Sequence, residues 1–207
     1  MSIFDSMILE LDKALRTSSG NIGATARATP ATTQSTLSDI EKKTSGRLMR
    51  VNHCGEVCAQ ALYYGQALTA KSGRVANAMH EAAIEETDHL AWCESRLKEL
   101  ETPVSLLNPF WYASSYCIGA ITGLLGDKVN LGFVAATEEQ VCKHLDEHLL
   151  KLPASDDRSR EVLLAMREDE RRHEETALKK GGARFPDPIK KLMTGISKTM
   201  TRTTYWV

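Results

Sequence analysis

The pattern of apolar and polar residues along the chain predicts helices and indicates no strand. A proline inside a helix costs about 3 kcal/mol, so the long segments free of proline are where helices can form. Four such helices are predicted, over residues 46–71, 74–101, 126–152 and 155–180. Ser72 and Gly73 separate the first pair, Ser155 is the expected N-cap of the last helix, and Gly181 follows its end. Four long helices joined in pairs by short loops predict an all-α four-helix bundle.

Two apolar segments lie outside these four helices. Residues 108–125 carry no charge, begin with aromatic side chains and are too short to cross a bilayer. Residues 186–207 place apolar side chains at helical spacing, carry basic residues and end close to Trp206. Both segments could pack on the bundle as ordinary core. Together they favour a second interpretation, an apolar segment between the helix pairs and a C-terminal amphipathic helix that both contact a membrane surface.

The first 45 residues differ from the rest. Residues 2–16 predict a short amphipathic helix, and they lack the long apolar run of a secretory signal. Residues 17–38, the N-terminal arm, contain no acidic and no aromatic residue and predict a linker or a loose arm, because they can bury little apolar surface. We therefore divide the chain into an N-terminal region, 1–45, and a helical domain, 46–207.

Charge and cysteine content exclude some classes of function. The chain has 26 basic and 27 acidic residues, which argues against a general nucleic-acid-binding protein. The C-terminal end of the chain is nevertheless basic, because the residues from Lys179 to Val207 include seven basic residues and one acidic residue. Five cysteines without a C-x-x-C motif indicate reduced thiols in a cytosolic compartment. His53, Cys54 and Cys58 lack a second cluster that would complete a zinc site.

The candidate chemistry lies in a pattern that occurs twice. A lone glutamate on one helix is followed by Glu-x-x-His on the next, and residues three apart share a helix face. The predicted metal ligands are Glu56, Glu86, His89, Glu138, Glu170 and His173. Four buried carboxylates need compensation, and two divalent cations supply four positive charges. Carboxylate and imidazole ligands suit iron or manganese, and this set is the one found in ferritin-like di-iron proteins. The alternative is that these residues lie on solvated surfaces.

Several neighbouring residues are candidates for contacts with the ligands. Asp169 and Glu139 are candidates to orient a histidine, whereas the other nearby acids, Glu85 among them, are expected to be mostly solvated. His144 and Tyr63 share helix faces with Glu138 and Glu56, and the phenol of Tyr63 is expected to bond a ligand or meet the substrate.

The motifs together resemble a known family. They are residues 50–56 (RVNHCGE), 63–66 (YYGQ), 86–89 (ETDH), 138–139 (EE) and 167–173 (REDERRH). In order and spacing, over about residues 47–205, the chain is similar to the demethoxyubiquinone hydroxylase family of ubiquinone biosynthesis. The resemblance implies a ferritin-like fold and metal binding by the six predicted ligands, with no catalytic residue beyond them.

The resemblance also implies an activity and a location. The expected protein is a di-iron monooxygenase that uses two ferrous ions and O2 to hydroxylate the ring of a polyprenylated demethoxyubiquinol. Expected partners are the polyprenyl benzoquinol, membrane lipid, other ubiquinone-biosynthesis proteins and a second copy of the chain, but not nucleic acid. The expected location is peripheral, on the cytoplasmic side of the cell inner membrane. The alternatives are a ferritin-like protein that binds or oxidises iron, and a lipid-binding accessory module without catalysis.

Overall fold

The structure, a computed structural model, describes residues 25–207 together with Asp12, Ala14, Leu15 and Thr17. The helix predicted for residues 2–16 lies largely outside these residues. Within 25–207 the secondary structure consists of six helices. They are α1 (Asp39–Thr69), α2 (Gly73–Glu99), α3 (Asn108–Leu124), α4 (Asp127–Lys151), α5 (Asp157–Lys179) and α6 (Asp187–Thr204). The predicted all-α class is confirmed. In the described part of the chain, no helix is both long enough and apolar enough to cross a bilayer.

Helix ends follow local capping chemistry, with two corrections to the predicted bounds. The first helix begins at Asp39 rather than at 46, because Ser38 and Glu41 form a reciprocal capping box. Asp156, not Ser155, caps α5, since its carboxylate accepts a hydrogen bond from the Ser159 N–H at 3.0 Å. Residues 108–125, which we had described only as an apolar segment outside the four predicted helices, contain the helix α3.

The four long helices, α1, α2, α4 and α5, enclose two apolar clusters. One contains Met49, Trp92, Leu145 and Met166, and the other contains Tyr63, Met79, Leu131 and Ala177. The order in which each helix meets the clusters shows that α1 and α5 run one way and α2 and α4 the other. The connection that contains α3 therefore returns the chain along α1, as in ferritin-like bundles with a single crossover.

Helix α3 packs unusually closely on α1, because glycines lie where the two backbones meet. A Cβ atom at Gly65 of α1 would lie only 2.8 Å from the Ala120 nitrogen and nearer still to the Tyr116 carbonyl oxygen. A Cβ atom at Gly119 of α3 would lie 3.1 Å from the Gln66 nitrogen. Only a residue without a side chain fits at these positions.

The described part of the N-terminal arm is docked on the bundle. The backbone N–H groups of Thr32 and Thr33 donate hydrogen bonds to the Glu161 carboxylate at 2.7 and 3.1 Å. Arg158 donates to the Thr33 carbonyl oxygen at 3.1 Å. Side chains of α5 therefore satisfy backbone polar groups of this part of the arm, for which we had predicted a linker or a loose arm.

Candidate metal centre

The six predicted ligands meet in a polar layer between the two apolar clusters. They form two overlapping groups, in each of which one ligand atom per residue lies within 4.8 Å of the others. The first group is Glu56, Glu86, His89 and Glu170, and the second is Glu138, Glu170 and His173. Glu170 belongs to both groups and joins them. The predicted pattern of two half-sites on four helices is therefore present in three dimensions.

Both imidazoles point the same ring nitrogen at the carboxylates. His89 Nδ1 lies 2.9 Å from Glu86, 3.1 Å from Glu170 and 3.5 Å from Glu56. His173 Nδ1 lies 3.3 Å from Glu170 and 3.5 Å from Glu86. In both histidines the Nε2 atom is directed away from the centre, where it can hold a proton in a hydrogen bond.

Each outward Nε2 is bonded by an acid from the opposite helix. The His89 Nε2–H donates to Asp169 at 3.0 Å, and the His173 Nε2–H donates to Glu85 at 2.9 Å. Each of these acids directly precedes the glutamate of the other Glu-x-x-His motif, so the two motifs brace each other. Such bonds fix the tautomer and the orientation of a metal-binding imidazole.

These contacts show which acids orient the histidines. Asp169 orients His89, as expected. Glu85, which we had expected to be solvated, orients His173 in the same way. Glu139 does not orient a histidine, because it forms ion pairs with Lys143 at 2.6 Å and with Lys190. The sequence signal for Glu85 was its position immediately before a Glu-x-x-His motif, a position that Asp169 shares.

The other two candidates have different surroundings. The Tyr63 O–H donates a hydrogen bond to Glu138, as expected. His144 packs against His148 with ring centroids 3.9 Å apart. It also lines the apolar cavity described below, together with Glu56.

Burial without a counter-charge perturbs the carboxylates strongly. Burial raises the pKa of Glu56 and of Glu138 well above the ordinary value. Burial also acts on Glu170, but hydrogen bonds from His173 and His89 outweigh it and lower the pKa of Glu170 to about 2. Burial lowers the pKa of His173, but hydrogen bonds to Glu170 and Glu85 outweigh it and raise this pKa to about 11.

The residues present fit a pair of metal ions. Three buried carboxylate oxygens, Glu56 Oε2, Glu86 Oε1 and Glu138 Oε2, have no hydrogen-bond partner among the described residues. Buried polar atoms are seldom left unpaired, so these oxygens are suited to be ligands of a cation. Oxygen and imidazole donors without thiolate are the set that intermediate divalent metals such as iron prefer.

An apolar cavity of about 320 Å³ lies between α1, α3, α4 and α6, next to the candidate metal centre. Glu56 lines it, and Trp111 and Ile118 of α3 line one wall. The apolar face of α6 lines another wall through Ile189, Leu192, Met193, Ile196 and Met200. A cavity of this kind is typical of a small-molecule site in which few polar groups orient an apolar ligand.

Fold and site together define the class, a ferritin-like bundle with paired carboxylate and histidine half-sites. Comparison with known proteins identifies the family. The sequence model of the family described as "Ubiquinone biosynthesis protein COQ7" matches residues 43–204. The chain therefore belongs to this family.

Relatives similar over almost the whole chain carry one name. A "3-demethoxyubiquinol 3-hydroxylase" of Stutzerimonas stutzeri is 53% identical over 203 residues, which cover 97% of this chain and 94% of the relative. A protein of the same name from Pseudomonas fluorescens is 54% identical over 206 residues, covering 99% and 96%. One from Acinetobacter baumannii is 54% identical over 204 residues, covering 98% and 97%.

Proposed function

We propose that this chain is a di-iron monooxygenase that hydroxylates the ring of a polyprenylated demethoxyubiquinol. The observation that carries the proposal is the apolar cavity lined by Glu56, one of six residues suited to hold two metal ions. The names of relatives that are 53–54% identical over nearly the full length support the same substrate.

The six predicted ligands would hold two ferrous ions, one in each half-site. The bound ions would supply the oxygen chemistry, in which one atom of O2 enters the ring and the other leaves as water, with two electrons and two protons from an external reductant. The protein's own contribution is to position and to shield. Asp169 and Glu85 fix the two imidazoles, Tyr63 holds a carboxylate oxygen of Glu138, and the apolar walls exclude water.

The cavity favours hydroxylation over iron storage, because a storage site needs no apolar channel to its metals. Ile118→Trp should fill the channel, lower the hydroxylation rate at least tenfold and leave iron content unchanged. A channel-filled protein that retains full activity would contradict this placement of the substrate. An equal loss of iron would show instead that the substitution disturbs the metal centre.

The ligand assignment is tested in a strain that lacks the native hydroxylase. Glu56→Ala and Glu170→Ala should abolish the hydroxylated quinone and make the demethoxy precursor accumulate in lipid extracts. The matched control is Glu168→Ala on α5, whose exposed carboxylate pairs with Arg171. Anaerobic reconstitution of the purified protein should give two irons per chain. Fewer than about one would refute the di-iron proposal, and would leave a lipid-binding module as the better description.

We further propose that the chain sits on the cytoplasmic face of the inner membrane and receives its substrate from the lipid. Helices α3 and α6, which flank the cavity, carry large apolar side chains that are exposed. They include Phe110 (61% exposed), Ile121, Leu124, Leu192 (67%) and Ile196. The basic residues that follow Lys179 are suited to anionic headgroups.

Vesicle sedimentation tests this location. Phe110→Glu with Leu124→Glu should lower the fraction bound to anionic vesicles. Leu150→Glu on α4, which replaces a leucine that is still more exposed (87%) and lies on neither α3 nor α6, should not. Equal binding by the wild type, the Phe110→Glu/Leu124→Glu variant and the Leu150→Glu variant would show that α3 is not part of the membrane-binding surface.

A further inference from the structure

The N-terminal arm reaches the back of the candidate metal centre through one residue. The Arg27 Nε–H donates to Asp88 at 2.9 Å, and its Nη1–H donates to Asp169 at 2.7 Å. The backbone N–H of Ala26 donates to Asp88 at 2.8 Å. The guanidinium also lies 4.7 Å above the ring of Trp92. Arg27 is thus held by two carboxylates and an aromatic face, which fixes its planar head.

The carboxylate oxygen that Arg27 contacts is the one that orients a predicted ligand. Asp169 Oδ2 accepts from Arg27 and from the His89 Nε2–H at 3.0 Å. Arg172 donates to the other oxygen of Asp169 at 2.7 Å. With both oxygens bonded, the Asp169 side chain has little freedom to rotate. The position of the His89 ring therefore depends on an arginine 62 residues earlier in the chain.

The second half-site lacks this support. Glu85, which orients His173, is bonded by Arg172 at 3.0 Å, and the arm does not supply it with a second arginine among the described contacts. The side chain of Glu85 is 43% exposed, compared with 6% for Asp169. His173 itself is 10% exposed, whereas His89 is fully buried. Water reaches one half-site more easily than the other.

We infer that Arg27 is a positioning residue that locks His89 through Asp169, so that the half-site of His89 holds its metal more firmly than the half-site of His173. This inference rests on the proposed function, since it requires two bound metals. Loss of contacts behind a metal-binding histidine typically weakens metal affinity by about 10- to 100-fold. Arg27 acts one contact further out, so we expect the lower end of that range.

Metal release measures the difference directly and needs no turnover. The full-length protein, loaded with Co²⁺ as a spectroscopic probe, is mixed with excess chelator and followed by stopped-flow absorbance. The wild type should lose its cobalt in two phases. Arg27→Ala should accelerate the slow phase about tenfold and leave the fast phase unchanged. Arg27→Lys keeps the charge but not the bidentate contact. Its slow phase should have a rate between those of the wild type and Arg27→Ala.

Two controls separate this role from general docking of the arm. Thr33→Val removes one of the arm's hydrogen bonds to Glu161, the one from the Thr33 hydroxyl, and should leave both phases unchanged. Glu85→Ala removes the acid that orients His173, which is the counterpart of Asp169 in the other half-site, and should accelerate the fast phase alone. An unchanged slow phase in Arg27→Ala, or equal acceleration by Thr33→Val, overturns the inference. A wild type that binds no stoichiometric metal refutes the proposed function instead, so the two failures are distinguishable.

Discussion

A single methyl group at Gly65 should measurably loosen the contact between α1 and α3. The added Cβ would lie 2.8 Å from the Ala120 nitrogen, where ordinary contact begins at 3.4 Å, so α3 must move by at least 0.6 Å, the difference between the two. The obstructing atoms belong to the backbone and cannot rotate away. Overpacking of this kind costs about 1–3 kcal/mol.

The matched control is Gly195 of α6, where a new Cβ meets nothing within 4 Å. Alanine there should stabilise the helix by about 0.5–1 kcal/mol, because glycine loses more backbone freedom on folding. Because the gain in backbone entropy is the same at both glycines, the two variants should differ by the overpacking cost, about 1–3 kcal/mol. For a chain of this size, that is a difference in melting temperature of about 2–12 °C.

Thermal unfolding followed by circular dichroism provides the assay. The Gly65→Ala protein should melt below the wild type, and Gly195→Ala at or above it. Since Trp111 and Ile118 of α3 line the apolar cavity, Gly65→Ala should also raise KM for the quinol substrate. If both alanine variants melt together, the close approach of α1 and α3 is not a constraint on stability and the reasoning fails.

Three further predictions concern the site and its surroundings. Tyr63→Phe removes the donor to Glu138 and should lower kcat about tenfold with no loss of bound metal; unchanged kcat would deny Tyr63 a role. Burial lowers the pKa of His148 to about 2, so only the unfolded chain is protonated as the pH falls through about 6.5. This residue alone should therefore cost about 1 kcal/mol of stability between pH 7.5 and 5.5, and urea titrations of His148→Gln should lack that part of the loss. Arg50→Ala removes hydrogen bonds to the carbonyl oxygens of Thr204 and Tyr205 and should speed amide exchange at the end of α6; unchanged exchange would show that the apolar face holds α6 alone.

The sequence predicted the helices well because their ends carry local signals. The Ser72-Gly73 break and the glycines after α5 are visible as residue types, and the proline-free gaps limit where long helices can lie. The error at the start of α1 arose because residues 39–45 show little apolar periodicity. The capping box of Ser38 and Glu41 was the overlooked signal.

The candidate ligands were predictable for a different reason. Each Glu-x-x-His pair shares one helix face, so local spacing alone brings its two members together. Arg27 offered no such signal, because its partner Asp169 is 142 residues away and only the tertiary fold brings them together. The sequence of the N-terminal arm, polar and without acids, predicts disorder when it is considered without the rest of the chain. The acids that dock it lie on α2 and α5.

The mutual bracing of the two motifs has a consequence for how the protein folds. The bonds from His89 to Asp169 and from His173 to Glu85 span 80 and 88 residues, whereas each helix hairpin closes through a short loop. Short-range contacts form early, and long-range ones carry the larger loop-closure entropy. The hairpins α1–α2 and α4–α5 should therefore form before the polar layer is complete. Neither hairpin contains a finished half-site, so a chain interrupted between α3 and α4 recovers the centre only when its two pieces associate.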